Sequence, residues 1–286
     1  MDIEFARTFL AVAAAGNFVN AAERLHVTQS TVSARIQHLE ADLGARLFVR
    51  NRAGATLTPA GRRFLQHAKT LVLTVEQARH DVGLPSRFRA SIRIGGRIAL
   101  WEGFLPGWVG WMRNAAADVS IRSEIGFEED LMRRLVEGTL DIGLMYTPSH
   151  APGLVVEHLF DETLVMVSSN PDTRWPDEDY IYVEWGPGFY AKHRESYPDL
   201  ERPPQVVNIG WLGVQLILAN GGSCFLPIRM AQPFIESGRL FQVHDGPEFV
   251  LPAYMVFPRE ADSEVQRLAL HGLRELAAEI EGPATE

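Results

Sequence analysis

An all-α head followed by an α/β body is the fold class this sequence predicts. Three observations carry it. Two short runs with helical spacing, at residues 17–25 and 28–43, are separated by a brief turn and followed by strand-like runs at 47–50 and 55–58. A longer run from Pro59 repeats its apolar residues in alternating steps of four and three. Beyond residue 90, strand-like and helix-like segments alternate to the end.

In the head, Asn17 is placed to cap a helix whose apolar residues are Phe18, Ala21, Ala22 and Leu25. Thr28 is the next N-cap, with Gln29, Ser30 and Thr31 in the first turn. Val32, Ile36, Leu39 and Leu43 then form one buried stripe, and Gly44 fits a C-terminal stop. Two short helices joined by a tight turn make a helix-turn-helix, in which the second helix is the reader. Its polar face presents Gln29, Ser30, Thr31, Ser33 and Arg35, beside the Thr28 cap. Gln can pair with adenine and Arg with guanine, while Ser and Thr serve base or phosphate. Taken alone, the same face could be a solvated surface with good caps. The strand-like runs around Asn51-Arg52-Ala53-Gly54 read as a hairpin with a basic tip, the wing of a winged helix. Arg50 and Arg52 suit phosphate neutralisation, whereas Arg46 reads equally as a surface residue.

Thr58-Pro59 is a cap followed by Pro at the first helical position. Phe64, Ala68, Leu71, Val75, Ala78 and Val82 then define an a/d seam. Flanking Arg, Gln, His and Thr favour pairing with a second copy over packing on the chain's own domain. A helix from Pro59 to about Leu84 would span ~40 Å at 1.5 Å per residue.

At 286 residues the chain has room for two or three domains, and 46% hydrophobic residues can bury substantial cores. No apolar run approaches the ~18 residues of a membrane span, and the first residues lack a basic-then-apolar leader pattern. The expectation is a cytoplasmic protein with no membrane partner. The single cysteine, Cys224, leaves no intramolecular disulfide and no Cys-cluster metal site, and reads as a buried thiol. No cofactor or metal is expected. Residues 1–89 hold 12 Lys/Arg against 7 Asp/Glu, while the remainder holds 15 against 29. A basic head on an acidic body implies that only the head approaches DNA.

The body opens with a strand at Ser91–Gly95 and a helix from about Leu100, with Phe104, Leu105, Trp108 and Met112 on its apolar side. A strand at Val119–Ile125, a helix at Glu128–Glu137 and a strand at Leu140–Tyr146 follow, an order that implies βαβ units around a largely parallel sheet. Further strands are expected at residues 163–168, 180–183, 223–226 and 249–257. Helices are expected from Ile209, capped by Asn208, from Ile228 and from Ser263. His193, beside Arg194 and Glu195, reads as polar helix surface.

Residues Phe9 to Arg63 resemble the LysR-type transcriptional regulators. The run AAERLHVTQSTVSARIQHLEADLGARLFVRN, with LTPAG after it, matches the family signature nearly throughout. Many members carry Arg where Ala34 stands; here the basic residue is Arg35. The turn Gly-Thr-Leu-Asp-Ile-Gly at 138–143 is similar to the family's effector domain. The resemblance implies a winged helix-turn-helix DNA-binding domain at 1–58 and a dimerisation helix and hinge at 59–89. It implies a periplasmic-binding-protein-like regulatory domain at 90–286, with lobe 1 at about 90–162 and 259–286 and lobe 2 at about 163–258. Ala99-Leu100-Trp101-Glu102 and Glu184-Trp185-Gly186-Pro187 further resemble the HdfR-like subgroup. That subgroup likeness implies no particular effector or target gene.

Ligands of open α/β sheets collect at strand C-terminal ends and helix N-termini. Here those positions supply Arg97, Ile98, Ala99, Trp101, Glu128, Tyr146, Trp185 and Asn208 as candidate effector contacts. The Trp residues offer stacking walls, and Arg97 and Glu128 offer orienting charges; lobe core and plain surface are the competing readings. Glu128 stands where family members often present a small hydroxyl, which disfavours direct contact with an anionic effector. Catalysis is not expected: the Walker A loop, His-Glu-x-x-His, Gly-x-Ser-x-Gly and a full dinucleotide fingerprint are missing.

The resulting expectation is a sequence-specific regulator on double-stranded promoter DNA, modulated by an unidentified small-molecule effector between the lobes. RNA polymerase is a candidate partner, and the chain is expected as a homodimer or homotetramer. The competing reading is a DNA-binding or DNA-organising protein whose body only oligomerises.

Overall fold

The computed structural model describes residues 2–51, 54–198, 200, 203–243, 246–259 and 263–281. The chain divides into two compact units, with the boundary at Pro85/Ser86.

The head begins with a helix absent from the sequence expectation, α1 (Ile3–Ala15), capped by the Asp2 carboxylate on the Glu4 amide. Then come α2 (Phe18–Leu25), α3 (Gln29–Leu43), the hairpin β1 (Phe48–Asn51) and β2 (Gly54–Leu57), and α4 (Pro59–Val82). The caps explain the boundaries. Asn17 accepts from the Asn20 amide at 2.7 Å, and Thr28 accepts from the Thr31 amide at 3.2 Å. Gly44 stops α3 with φ 64°, a left-handed conformation that suits glycine. Phe9 centres the core, with its ring centroid 5.1 Å from those of Phe48 and Phe64. Ala6, Val12, Val32, Ile36 and Leu39 complete it. Glu40 on α3 fixes the wing by accepting from the Leu47 amide at 2.7 Å and the Phe48 amide at 3.2 Å.

In the body, β3 (Ala90–Gly96) leads into α5 (Ile98–Trp101) and α6 (Leu105–Ala115). The single helix expected from Leu100 is thus two, because Gly103 sits at φ 104° and breaks the chain direction between them. The order continues with β4 (Val119–Ile125), α7 (Glu128–Glu137), β5 (Ile142–Met145) and β6 (Leu154–Ser168). Next are β7 (Ile181–Val183), α8 (Pro187–Ser196), β8 (Gln205–Val207), α9 (Gly210–Asn220), β9 (Ser223–Pro227) and α10 (Ile228–Glu236). β10 (Phe241–Gln242), β11 (Phe249–Pro258) and α11 (Glu264–Glu281) close the chain.

The principal sheet runs β10-β6-β11-β5-β3-β4, with β9 also on β6. It is mixed rather than largely parallel. Only β3 with β4 and β3 with β5 pair parallel within it; β6 and β11 run antiparallel over ten registered pairs. Those two long strands pass from one α/β layer to the other, and a register shift at Ala253/Tyr254 marks the crossing. α9 is entered from Ile209 without a side-chain cap, so Asn208 does not have the capping role expected of it. No helix among the described residues is long and apolar enough to cross a membrane.

Candidate DNA-reading face and ligand cleft

The N-terminal turn of α3 is the exposed reading end of the head. Thr28, Gln29 and Ser30 are exposed, while Thr31 and Ser33 are half-buried. The Thr28 hydroxyl lies 2.8 Å from both the Ser30 and Thr31 hydroxyls, so the cap and first turn form one small polar cluster. Arg35 is placed differently. Its Nη1 donates to Thr8 Oγ1 at 3.3 Å and lies 3.6 Å from Glu4 Oε2, which turns the guanidinium toward α1. The side chain of Arg50 and the whole of Arg52 fall outside the described residues.

α4 divides along its length. Phe64 and Ala68 are buried in the head's own core, which corrects their expected place in an open seam. They lie on the turn that packs against α1, where Phe9 takes up the Phe64 ring. Further on, Leu71, Ala78 and Val82 are exposed and Val75 is half-buried.

In the body, Arg97 joins three elements. Its amide donates to the Leu144 carbonyl at 3.1 Å, its Nη1 lies 3.3 Å from Glu128 Oε2, and its Nη2 donates to the Asn208 carbonyl at 3.4 Å. The guanidinium carbon also lies 4.6 Å from the Phe127 ring centroid. Arg97, Glu128 and Asn208, drawn from strand ends and helix starts far apart in sequence, therefore converge. Trp101, half-buried, donates its indole N–H to the Glu124 carbonyl at 3.0 Å. The Glu124 carboxyl is held below its ordinary range, first by Arg134 and also by Arg122. Ile98 is half-buried and Ala99 buried. Trp185 is 4% exposed and donates to the Phe225 carbonyl at 2.9 Å, so it belongs to the core. Tyr146 packs edge-on against it, with ring centroids 6.1 Å apart.

Sequence reasoning missed two participants, Glu162 on β6 and Arg229 on α10. Tyr146 donates its hydroxyl to Glu162 Oε1 at 3.0 Å, and burial, followed by the Glu162 charge, raises its phenol well above the ordinary value. Arg229 pairs with Glu162 and donates to the carbonyls of Glu102 and, at 3.0 Å, Ala99. Its buried Nε has no partner among the described residues. A carboxylate inside the strand Leu159–Leu164 demands a cation, and that was the available signal.

A second misreading concerns His193. It is 4% exposed, not polar surface, with Nε2 3.2 Å from the Tyr180 hydroxyl and its ring stacked on Tyr180. Phe189 and Tyr197, four residues away on either side, put it on the apolar face of α8.

A helix-turn-helix head with a wing, followed by an α/β body of two layers joined by crossing strands, defines a DNA-reading protein with an attached ligand-binding domain. The comparisons name the class. Residues 3–62 match the model of the bacterial regulatory helix-turn-helix protein, lysR family, and residues 86–278 match the LysR substrate binding domain. The chain belongs to the LysR family of transcriptional regulators. The HTH-type transcriptional regulator HdfR of Salmonella typhimurium is 31% identical over 265 residues, covering 92% of this chain and 94% of that protein. Among solved structures, ArgP from Mycobacterium tuberculosis is similar with a TM-score of 0.64 at 24% identity, covering 97% of this chain and 98% of that one. Full-length LysG from Corynebacterium glutamicum with bound effector Arg gives 0.58 at 19%, covering 99% of each chain. Full-length CbnR complexed with its target DNA gives 0.51 at 20%, covering 97% and 100%.

Proposed function

We propose that this regulator reads double-stranded promoter DNA through the first turn of α3, with Gln29 and Ser33 contacting base edges and Thr28, Ser30 and Thr31 contacting phosphates. The observation that carries the reading is the exposed, capped and internally hydrogen-bonded start of α3. Such a turn offers free amides and hydroxyls in a fixed geometry. Arg35 acts as a brace between α3 and α1, holding the reader at its angle. Arg50 and Arg52 on the wing supply salt-sensitive phosphate attraction. Two chains pair along Leu71, Val75, Ala78 and Val82 of α4, and contacts between bodies assemble dimers into tetramers. The protein works in the cytoplasm, beside DNA and RNA polymerase, as a regulator rather than an enzyme.

The effector site of this reading is the cleft where Arg97, Glu128 and Asn208 converge, with Ile98, Ala99 and Trp101 on one side. The solved LysG structure, which holds Arg, supports a small-molecule ligand for the fold. Arg97 is already paired with Glu128, so a carboxylate must displace Glu128 to reach it. A lone cation must likewise compete with Arg97 for Glu128, whereas a zwitterionic ligand supplies a replacement for each, its carboxylate to Arg97 and its ammonium to Glu128. Binding shifts the assembly only insofar as the ligand prefers one arrangement.

The test is fluorescence anisotropy on duplex DNA from upstream of the chain's own gene against a scrambled duplex. Replacing Gln29→Ala and Ser33→Ala together is expected to weaken specific binding on the order of tenfold or more, with little change on scrambled DNA. Equal losses on both duplexes would remove the base-reading role.

A further inference from the structure

The second α/β layer carries a recess that the Arg97 cleft does not use. Its volume is about 710 Å³, within the size range of small-molecule sites. Tyr182 of β7, Tyr190 of α8 and Tyr197 beyond it line the recess, with Glu184, Arg194 and the buried His193. Pro187, Leu200 and Val206 add apolar surface.

Two features point to a ligand and to its charge. The side chains of Glu184 and Arg194 are exposed, and neither makes a hydrogen bond or ion pair among the described residues. Tyr182 sits within the field of the Glu184 carboxylate: burial, and then that charge, push its phenol up to about 12. Tyrosine faces attract cations, and a carboxylate beside them attracts an ammonium group more strongly still. The acidic composition of the body, with 15 Lys/Arg against 29 Asp/Glu beyond residue 89, adds to that preference.

We propose that this recess is a second ligand site, binding a small ammonium-bearing molecule with a flat apolar body. The ammonium pairs with Glu184 and the body lies against the rings of Tyr182, Tyr190 and Tyr197. Aryl amines and aromatic α-amino acids share this chemistry. Arg194 separates them, because only the amino acid brings a carboxylate for it. An aromatic acid lacking the ammonium leaves Glu184 without a partner and meets it as a like charge, so it binds more weakly even with Arg194 to receive its carboxylate.

Isothermal titration of the full chain with 2-phenylethylamine, L-phenylalanine and 3-phenylpropionate tests the proposal. Saturable binding of the amine, the amino acid or both is expected, with the propionate at least about tenfold weaker; propionate binding as tight as theirs overturns the ammonium preference. Tyr190→Ala and Glu184→Gln should each weaken it on the order of tenfold. Both side chains are exposed, so the melting curves of these variants should match the parent. Within that result, Arg194→Ala weakening only L-phenylalanine assigns an amino acid, and Arg194→Ala weakening neither assigns an amine. Absence of binding by both cations at millimolar concentration overturns the site. So does binding that both substitutions leave unchanged, which would place the ligand elsewhere. A change in oligomeric mass on Tyr190→Ala without a change in binding also overturns it, by showing that a second copy covers this face.

Discussion

His193 shows how one side chain reports the packing around it. Burial, and secondarily the charge of Arg194, lower its pKa from 6.5. The unfolded chain therefore takes up a proton more readily than the folded one between 6.5 and the lower folded value. The linked stability is fully present above pH 6.5 and is lost as pH falls through the folded pKa. Thermal unfolding followed by circular dichroism from pH 7.5 down to pH 5 is expected to show a falling Tm. His193→Phe should flatten that fall while leaving the Tm at neutral pH within a few degrees. A parent and variant with the same pH slope would show that the ring is not the titrating group. The helical register of Phe189, His193 and Tyr197 is visible in the sequence, but the charged neighbours Lys192 and Arg194 hide it from a reading by composition. The same limit hides Glu162 and Arg229. They lie 67 residues apart, and nothing local says that a strand carboxylate and a helix guanidinium meet.

At the scale of elements, α4 carries one heptad-like pattern through two environments. Its first turns bury Phe64 and Ala68 against α1, and its last turns leave Leu71, Ala78 and Val82 exposed. The periodicity was legible because it runs through the buried and the exposed turns alike; their division was not, because spacing does not name what a face packs against. The two halves should separate on mutation. Phe64→Ala removes a ring packed on Phe9 and is expected to cost ~3 kcal/mol or more of head stability, read by urea unfolding. Val75→Asp is expected to leave the melting of the head nearly unchanged while lowering the mass seen by light scattering toward the monomer. An unchanged mass would move dimerisation off this helix. α3 was readable to the residue, since Thr28 and Gly44 punctuate it and each makes its cap. β6 was only half readable. Its first half is part-exposed and carries Glu157, His158 and Asp161, so it lacks the apolar run that marks Leu164 to Val167.

Across the regulatory body, two long antiparallel strands tie the layers together, and a polar knot at Glu162 adds to the Arg97–Asn208 contact between them. Arg229 from the second layer reaches the carbonyls of Ala99 and Glu102 in the first, and grips Glu162 on the crossing strand. Glu162 is 3% exposed in its side chain and Arg229 17%, so the carboxylate has almost no water to fall back on. Arg229→Met strands the Glu162 carboxylate, leaving the Tyr146 hydroxyl as its partner among the described residues. The expected loss is ~3 kcal/mol of body stability, because an uncompensated buried charge costs more than a missing pair. Arg229→Met combined with Glu162→Gln removes the charge as well as its partner, and should recover part of that loss in a double-mutant cycle. Losses that simply add would mean the two side chains are energetically independent and that β6 and β11 alone hold the layers. A coupled pair has a further consequence for signalling. Because the knot ends on the carbonyls of Ala99 in α5 and Glu102 just after it, close to Arg97, a ligand that draws Arg97 away from Glu128 would shift α5 against Arg229. Single-mutant Arg229→Met should then weaken the linkage between effector and DNA affinity, measured as the ratio of DNA dissociation constants with and without effector, even where DNA binding itself persists.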